Sequence, residues 1–241
     1  MWVRWHPVVP ILLAGTVEGG VWMWKVPSFE TKTIQLSSAP PVDATFLSTN
    51  RHLLVGYQDG TAKVLDLKSG EAAVSVEVKC EVTSVGRAPD DGLLLIGGAD
   101  STLTLVSGAG KVIGTLREKI PGTTGNMDDS VEHIAFHPTR PLVAASYVKD
   151  RVCLWDTSLQ RLRTTLAHPD GVVKTQWAGD SEHHLVTCCL DGIVRVWDVD
   201  QGEVIAEVTG GHSSQLLDMR ISENLVVTCD DGGSVKVFRI S

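Results

Sequence analysis

Basic residues are the scarcer charge in this chain. Its 241 residues carry 21 Lys and Arg against 29 Asp and Glu, a formal charge of −8. An acidic surface repels nucleic acid and anionic membrane, so neither is an expected direct partner, and a basic protein segment fits better. Cysteine is sparse and odd in number, five residues with no CxxC pair. That excludes a disulfide framework and a cysteine zinc site, and points to a reducing compartment. No apolar run approaches the roughly 18 residues needed for a membrane helix. Arg4 followed by Val8–Gly15 has a faint leader-like look, but Pro10 interrupts the run, which reads as a strand. Catalytic motifs are missing too. Gly179-Asp180-Ser181-Glu182-His183 lacks the closing glycine of a nucleophile elbow. Gly108-Ala109-Gly110-Lys111 precedes no helix and so is not a phosphate loop. The adjacent His183 and His184 do not converge on one ion, and His6, His52, His133 and His137 fall at turns or strand ends. No enzyme, metal or cofactor is expected.

What the chain has is a repeat. Six short segments alternate apolar and polar residues and end on an anchor: Trp24, Leu65, Val106, Trp155, Trp197 and Phe238. The anchors are spaced by 41, 41, 49, 42 and 41 residues. Six residues before the anchor stands an acid in four units, Glu18, Asp59, Asp100 and Asp191, followed by Gly or Ser. This is a tight turn with an acidic side chain bonding its own backbone. The turn acid shifts by one residue to Asp150 in the fourth unit and the other way to Asp231 in the sixth. A second aromatic row, Trp5, Phe46, Phe136 and Trp177, closes each first strand. In the fifth unit four strands are predicted near 172–177, 185–189, 193–198 and 204–208. Four short strands at a period of 40–45 residues make a β-propeller blade. Repeats are placed near 1–40, 41–80, 81–128, 129–169, 170–210 and 211–241 of a single domain. The long interval is assigned to a polar loop at 117–129.

Trp155-Asp156, Trp197-Asp198 and Gly211-His212 match the WD40 signature. That family's blade network joins a His, a Ser or Thr, a turn Asp and the Trp. The resemblance assigns it to His168, Cys189, Asp191 and Trp197, with the thiol a weak donor. The last blade keeps His212 but has Phe238, so its network is expected not to close. Further strings, among them Trp5-His6-Pro7, Val55-Gly56-Tyr57-Gln58-Asp59-Gly60-Thr61 and Thr187-Cys188-Cys189-Leu190-Asp191-Gly192, resemble the angio-associated migratory cell protein family. That family's propeller is larger. The chain starts on an innermost strand and lacks an outer strand in its sixth unit, so it is expected to be an N-terminally truncated seven- or eight-bladed propeller, with a closed six-bladed ring as the alternative.

The resemblance implies a non-catalytic binding platform. Fungal relatives of the family chaperone a newly made large-subunit ribosomal protein by its basic N-terminal segment, and animal members are linked with cell migration and angiogenesis. It implies a cytoplasmic protein, with the nucleus or the membrane periphery also open. Glu18, Asp59, Asp100, Asp128, Asp129, Glu132 and Asp170 are the candidate acidic, protein-binding residues on one face. The second functional reading is a substrate adaptor of a ubiquitin ligase. Many such adaptors carry an Arg two residues after Trp-Asp, where this chain has Ser158 and Asp200.

Overall fold

A computed structural model of the chain describes residues 2–118, 129–179, 181–223 and 225–239. Most of the loop expected at 117–129, including Asp128, lies outside them. The described residues are strands and turns, without a helix. None of them therefore forms a helix long and apolar enough to cross a membrane.

The strands form six antiparallel sheets, each a meander in chain order. They divide between two compact units, residues 1–117 and 118–241. In the first unit, blade I holds β1 (Val3–Trp5), β2 (Ile11–Gly15), β3 (Gly20–Lys25) and β4 (Glu30–Gln35). Blade II holds β5 (Pro41–Phe46), β6 (His52–Tyr57), β7 (Thr61–Asp66) and β8 (Ala72–Glu77). Blade III holds β9 (Val82–Arg87), β10 (Leu93–Gly98), β11 (Leu103–Ser107) and β12 (Val112–Leu116).

In the second unit, blade IV holds β13 (Val131–Phe136), β14 (Leu142–Tyr147), β15 (Arg151–Asp156) and β16 (Arg161–Ala167). Blade V holds β17 (Val172–Trp177), β18 (His184–Cys189), β19 (Val194–Asp198) and β20 (Glu203–Val208), within one residue of the ranges expected from sequence. Blade VI has three strands, β21 (Leu216–Ser222), β22 (Leu225–Asp230) and β23 (Val235–Arg239).

Strand alternation explains the packing. Side chains of a strand point to both faces of its sheet, and a blade between two others buries both. The second strands accordingly read as nearly unbroken apolar runs, and all six residues of β14 are buried. In the first unit, Leu13, Val21 and Ile34 of blade I pack on Leu53, Val55 and Leu65 of blade II. Leu54, Ala62 and Val64 of blade II pack on Val85, Leu94 and Val106 of blade III. In the second unit, Leu142, Ala144 and Leu154 meet Trp177, Leu185 and Trp197, and Val186, Val194 and Val196 meet Leu216, Met219 and Val226. In blades II to V a β-bulge falls immediately before the anchor residue. Each bulge adds local twist.

Candidate functional site

The turn acids behave as the spacing demands. Asp59 Oδ1 accepts the Thr61 amide at 3.0 Å and its hydroxyl at 2.7 Å. Asp100 does the same with Thr102 at 3.2 and 2.6 Å, and Asp191 accepts the Ile193 amide at 3.0 Å. The connecting segments then dock on these turns: Ser37 donates to Asp59 at 3.1 Å, and the Cys80 thiol to Asp100 at 3.0 Å. Burial alone would raise the Asp59 pKa, but the hydrogen bonds from Thr61 and Ser37 and the charge of Lys63 outweigh it and hold it below the usual range. In blade I the amide of Gln35 closes the turn, donating to the carbonyls of Glu18 and Ser37 at 2.6 Å each. The Glu18 side chain stands exposed.

The other candidate acids divide. Asp170 is exposed, and its Oδ1 accepts the Gly171 amide at 2.7 Å. Glu132 is half-buried and bonded to the Ser130 hydroxyl. Asp129 departs from the expectation of a rim residue. It is 0% exposed, ion-paired with Arg151, and accepts the Lys149 amide at 2.9 Å. Arg151, itself buried, also donates from Nε to Glu118 at 2.7 Å and lies 4.6 Å from the centre of the Tyr147 ring. Burial opposes its charge, but Asp129 and Glu118 hold the guanidinium pKa above its ordinary value. Asp129 is thus structural, and Glu18 and Asp59 in the first unit and Asp170 in the second remain as the accessible acids.

The blade V network closes through a residue that the sequence reading passed over. Trp197 Nε1 donates to Thr187 Oγ1 at 3.1 Å, His168 Nε2 meets the same oxygen at 2.9 Å, and His168 Nδ1 lies 3.1 Å from the Leu166 carbonyl. Cys189, assigned that position, instead points its thiol at the Asp170 carbonyl at 3.3 Å. Asp191 pairs with Arg195 at 2.6 Å rather than completing the chain. Burial pushes His168 down to about 4 and Cys189 up to about 11. Blade VI forms its network up to the anchor. His212 bonds Thr228 at 2.7 Å and Asp230 at 2.6 Å, and Phe238 lies edge-on with its ring centre 6.1 Å away. Only the indole donor is lost.

Two histidines clamp neighbouring blades. In His6-Pro7 and His137-Pro138, Nδ1 accepts two backbone amides: Val8 and Val9 at 3.1 and 3.2 Å, and Thr139 and Arg140 at 3.1 and 2.9 Å. Their Nε2 atoms reach the carbonyls of Asn50 and Glu182 in the next blade at 2.8 and 3.0 Å. The repeated aromatic-His-Pro string was the signal for this. Across the same boundary in the second unit, Asp200 gathers Arg140, Arg163 and His183 at 2.9, 2.7 and 2.5 Å. The Arg140 hydrogen bond leads in drawing the Asp200 pKa down to about 2. Among the described residues no group of His, Cys, Asp and Glu has a metal-binding arrangement.

The sheets, the turn acids and the His-Thr-Trp network meet in one motif, and the family profile "WD domain, G-beta repeat" matches residues 114–156 and 159–198. Those two stretches are WD40 repeats. It is similar to the angio-associated migratory cell protein of dog at 36% identity and of human at 35%, over 98% of its length. It spans 57% of those relatives' length. Among solved structures, Sqt1 of Chaetomium thermophilum bound to the N-terminus of ribosomal protein L10 superposes with a TM-score of 0.82 at 25% identity, covering 98% of this chain and 68% of that one. Sqt1 of Saccharomyces cerevisiae gives 0.84 at 18% identity, covering 100% and 72%, a likeness of fold.

Proposed function

We propose that this chain is a non-catalytic binding scaffold of the cytoplasm that receives the basic N-terminal segment of a large-subunit ribosomal protein. The observation that carries this reading is the likeness over 98% of the chain to a Sqt1 structure bound to the N-terminus of ribosomal protein L10. The exposed carboxylates Glu18, Asp59 and Asp170 support it, because rigid turns carrying negative charge steer and orient a cationic peptide. Catalysis would need convergent, activated groups. Instead the burial that surrounds Cys153 and Cys189 raises their thiols to about 12 and about 11, away from nucleophilic thiolate.

The test is calorimetric titration of the chain with a peptide of the L10 N-terminal segment at low salt. Glu18→Lys is the clean probe, since the Gln35 amide and not the Glu18 carboxylate closes that turn. Binding that weakens about fivefold in Glu18→Lys, and that fades with added salt, supports the reading. Absence of binding to the unaltered chain, or an affinity indifferent to both changes, overturns it.

A further inference from the structure

In blades II to V the bulge leaves one residue of the outer strand without an opposite number across the ladder: Ala73, Ile113, Arg163 and Ile205. A bulge re-aims the side chain of its extra residue, out of the regular alternation of the strand. Three of these residues are apolar, and blade IV puts a cation in their place. Arg163 reaches across the boundary to Asp200, in the β19–β20 turn of blade V, at 2.7 Å. Arg140 from the β13–β14 turn and His183 from the β17–β18 turn arrive at the same carboxylate. Both of its oxygens are engaged. Oδ1 accepts from the two guanidiniums, and Oδ2 meets Arg140 at 3.3 Å and the imidazole at 2.5 Å.

Two guanidiniums on one carboxylate leave a surplus positive charge, and a second one when His183 is protonated. The bordering acids are turned elsewhere. Glu182 accepts the Thr139 hydroxyl at 3.1 Å, and Asp198 the amides of Asp200 and Gln201 at 3.0 and 3.1 Å. Among the described residues Arg163 gives only its Nη2 hydrogen, to Asp200, and its side chain is 41% exposed. That of His183 is 57% exposed. A planar guanidinium with donors to spare is suited to gripping a phosphate. The node holds a carboxylate of its own and turns the remaining donors to solvent.

We propose that Arg163, Arg140 and His183 form a binding site for a single phosphate group on a protein partner, with Asp200 as the internal carboxylate that the phosphate competes against. The surroundings set the class of ligand. A chain of net charge −8 repels the repeated charges of nucleic acid and anionic membrane, whereas one isolated phosphate meets a local cationic centre. A phosphoserine with basic neighbours suits both features: its phosphate takes the guanidiniums, and its neighbours take the bordering Glu182 and Asp198.

The experiment is an NMR titration of the full chain that follows the imidazole resonances of His183. The probes are inorganic phosphate, a short peptide with phosphoserine between two arginines, and the same peptide unphosphorylated. The phosphopeptide shifts the resonances saturably and binds at least about tenfold more tightly than inorganic phosphate, and the unphosphorylated peptide leaves them in place. Arg163→Gln weakens the phosphopeptide about tenfold, and Asp200→Asn strengthens it about tenfold by removing the competing charge, both with unchanged far-ultraviolet circular dichroism. Four results overturn the proposal. No shift with the phosphopeptide in the parent or in Asp200→Asn shows that there is no site. Equal affinity for phosphopeptide and inorganic phosphate shows an adventitious ion only. Unchanged binding in Arg163→Gln shows that the bulge residue takes no part, and weaker binding in Asp200→Asn shows that the carboxylate is not a competitor.

Discussion

Arg151 is the side chain whose removal should cost this protein most for the fewest atoms. It is 7% exposed, paired with an Asp129 that has no exposure at all and with Glu118, and it covers the Tyr147 ring. Taking one partner from a buried ion pair leaves the other charge without compensation, which costs about 3–5 kcal/mol. Arg151→Met keeps much of the aliphatic volume and removes the charge. The second unit should therefore lose about 3–5 kcal/mol in urea unfolding followed by tryptophan fluorescence, at unchanged slope. Adding Asp129→Asn removes the stranded carboxylate and should return about half of the loss, because a neutral amide costs less to bury than a charge. A single variant within about 1 kcal/mol of the parent would refute the reasoning. So would a double variant no more stable than the single one, since the penalty would then not reside in the orphaned Asp129.

Further expectations follow from the networks. Thr187→Val keeps the shape but strips the oxygen shared by Trp197 and His168, and should destabilise by about 2–4 kcal/mol in thermal unfolding. Trp155, which holds the position of Trp197 in blade IV, has no hydrogen-bond partner for its indole nitrogen among the described residues, and Ala145 sits where Thr187 does. Ala145→Ser should supply an acceptor and stabilise by up to about 1 kcal/mol; a lower melting temperature would show that the site has no room for the hydroxyl. His168 titrates near 4 in the fold against about 6.5 when unfolded, so below pH 6.5 the unfolded chain binds the proton first. Its contribution is full above that pH and is lost as pH falls from about 6.5 to about 4. His168→Gln should flatten the melting temperature across that window. Asp200, drawn down to about 2, contributes above the unfolded carboxylate range near 4 and loses that contribution as pH falls towards about 2. Asp200→Asn should remove this acid limb, read by acid titration of unfolding.

The anchors and turn acids were legible because each is fixed by local chemistry repeated at one period. A tight turn needs an acceptor two residues before the amide it caps, so Asp59, Asp100 and Asp191 announced themselves. The network threonine was not legible in the same way. Thr187 and Cys189 lie on the same face of β18, two residues apart, and strand alternation cannot choose between them. The choice is made by the reach of the indole: Trp197 pairs with Leu185 across the ladder, and its Nε1 extends to Thr187, which pairs with Arg195. Asp129 misled for a different reason. Its position after a polar loop looks like surface, and only the approach of Arg151, 22 residues away, takes it into the interior. The basic residue opening the apolar run Arg151-Val152-Cys153-Leu154-Trp155 was the one hint, since every neighbour after it in that strand to Trp155 is buried. The expected single acidic face was overdrawn for the same reason, because counting carboxylates along a sequence does not separate those spent on the fold from those left for a partner.

Thr187 has one proton to give, and its surroundings decide where that proton goes. The Leu166 carbonyl can only accept, so the hydrogen of the neutral His168 ring must sit on Nδ1, which leaves Nε2 bare. The threonine hydroxyl therefore turns towards the ring, and its lone pair is left for the indole. Trp197 gives to Thr187, Thr187 to His168, and His168 to the backbone. The row has a polarity, running from the third strand of the blade back to the segment that leads into it, with no second arrangement open to it while the ring stays neutral. Serine could hold that place, valine could not, and a thiol would hold it poorly.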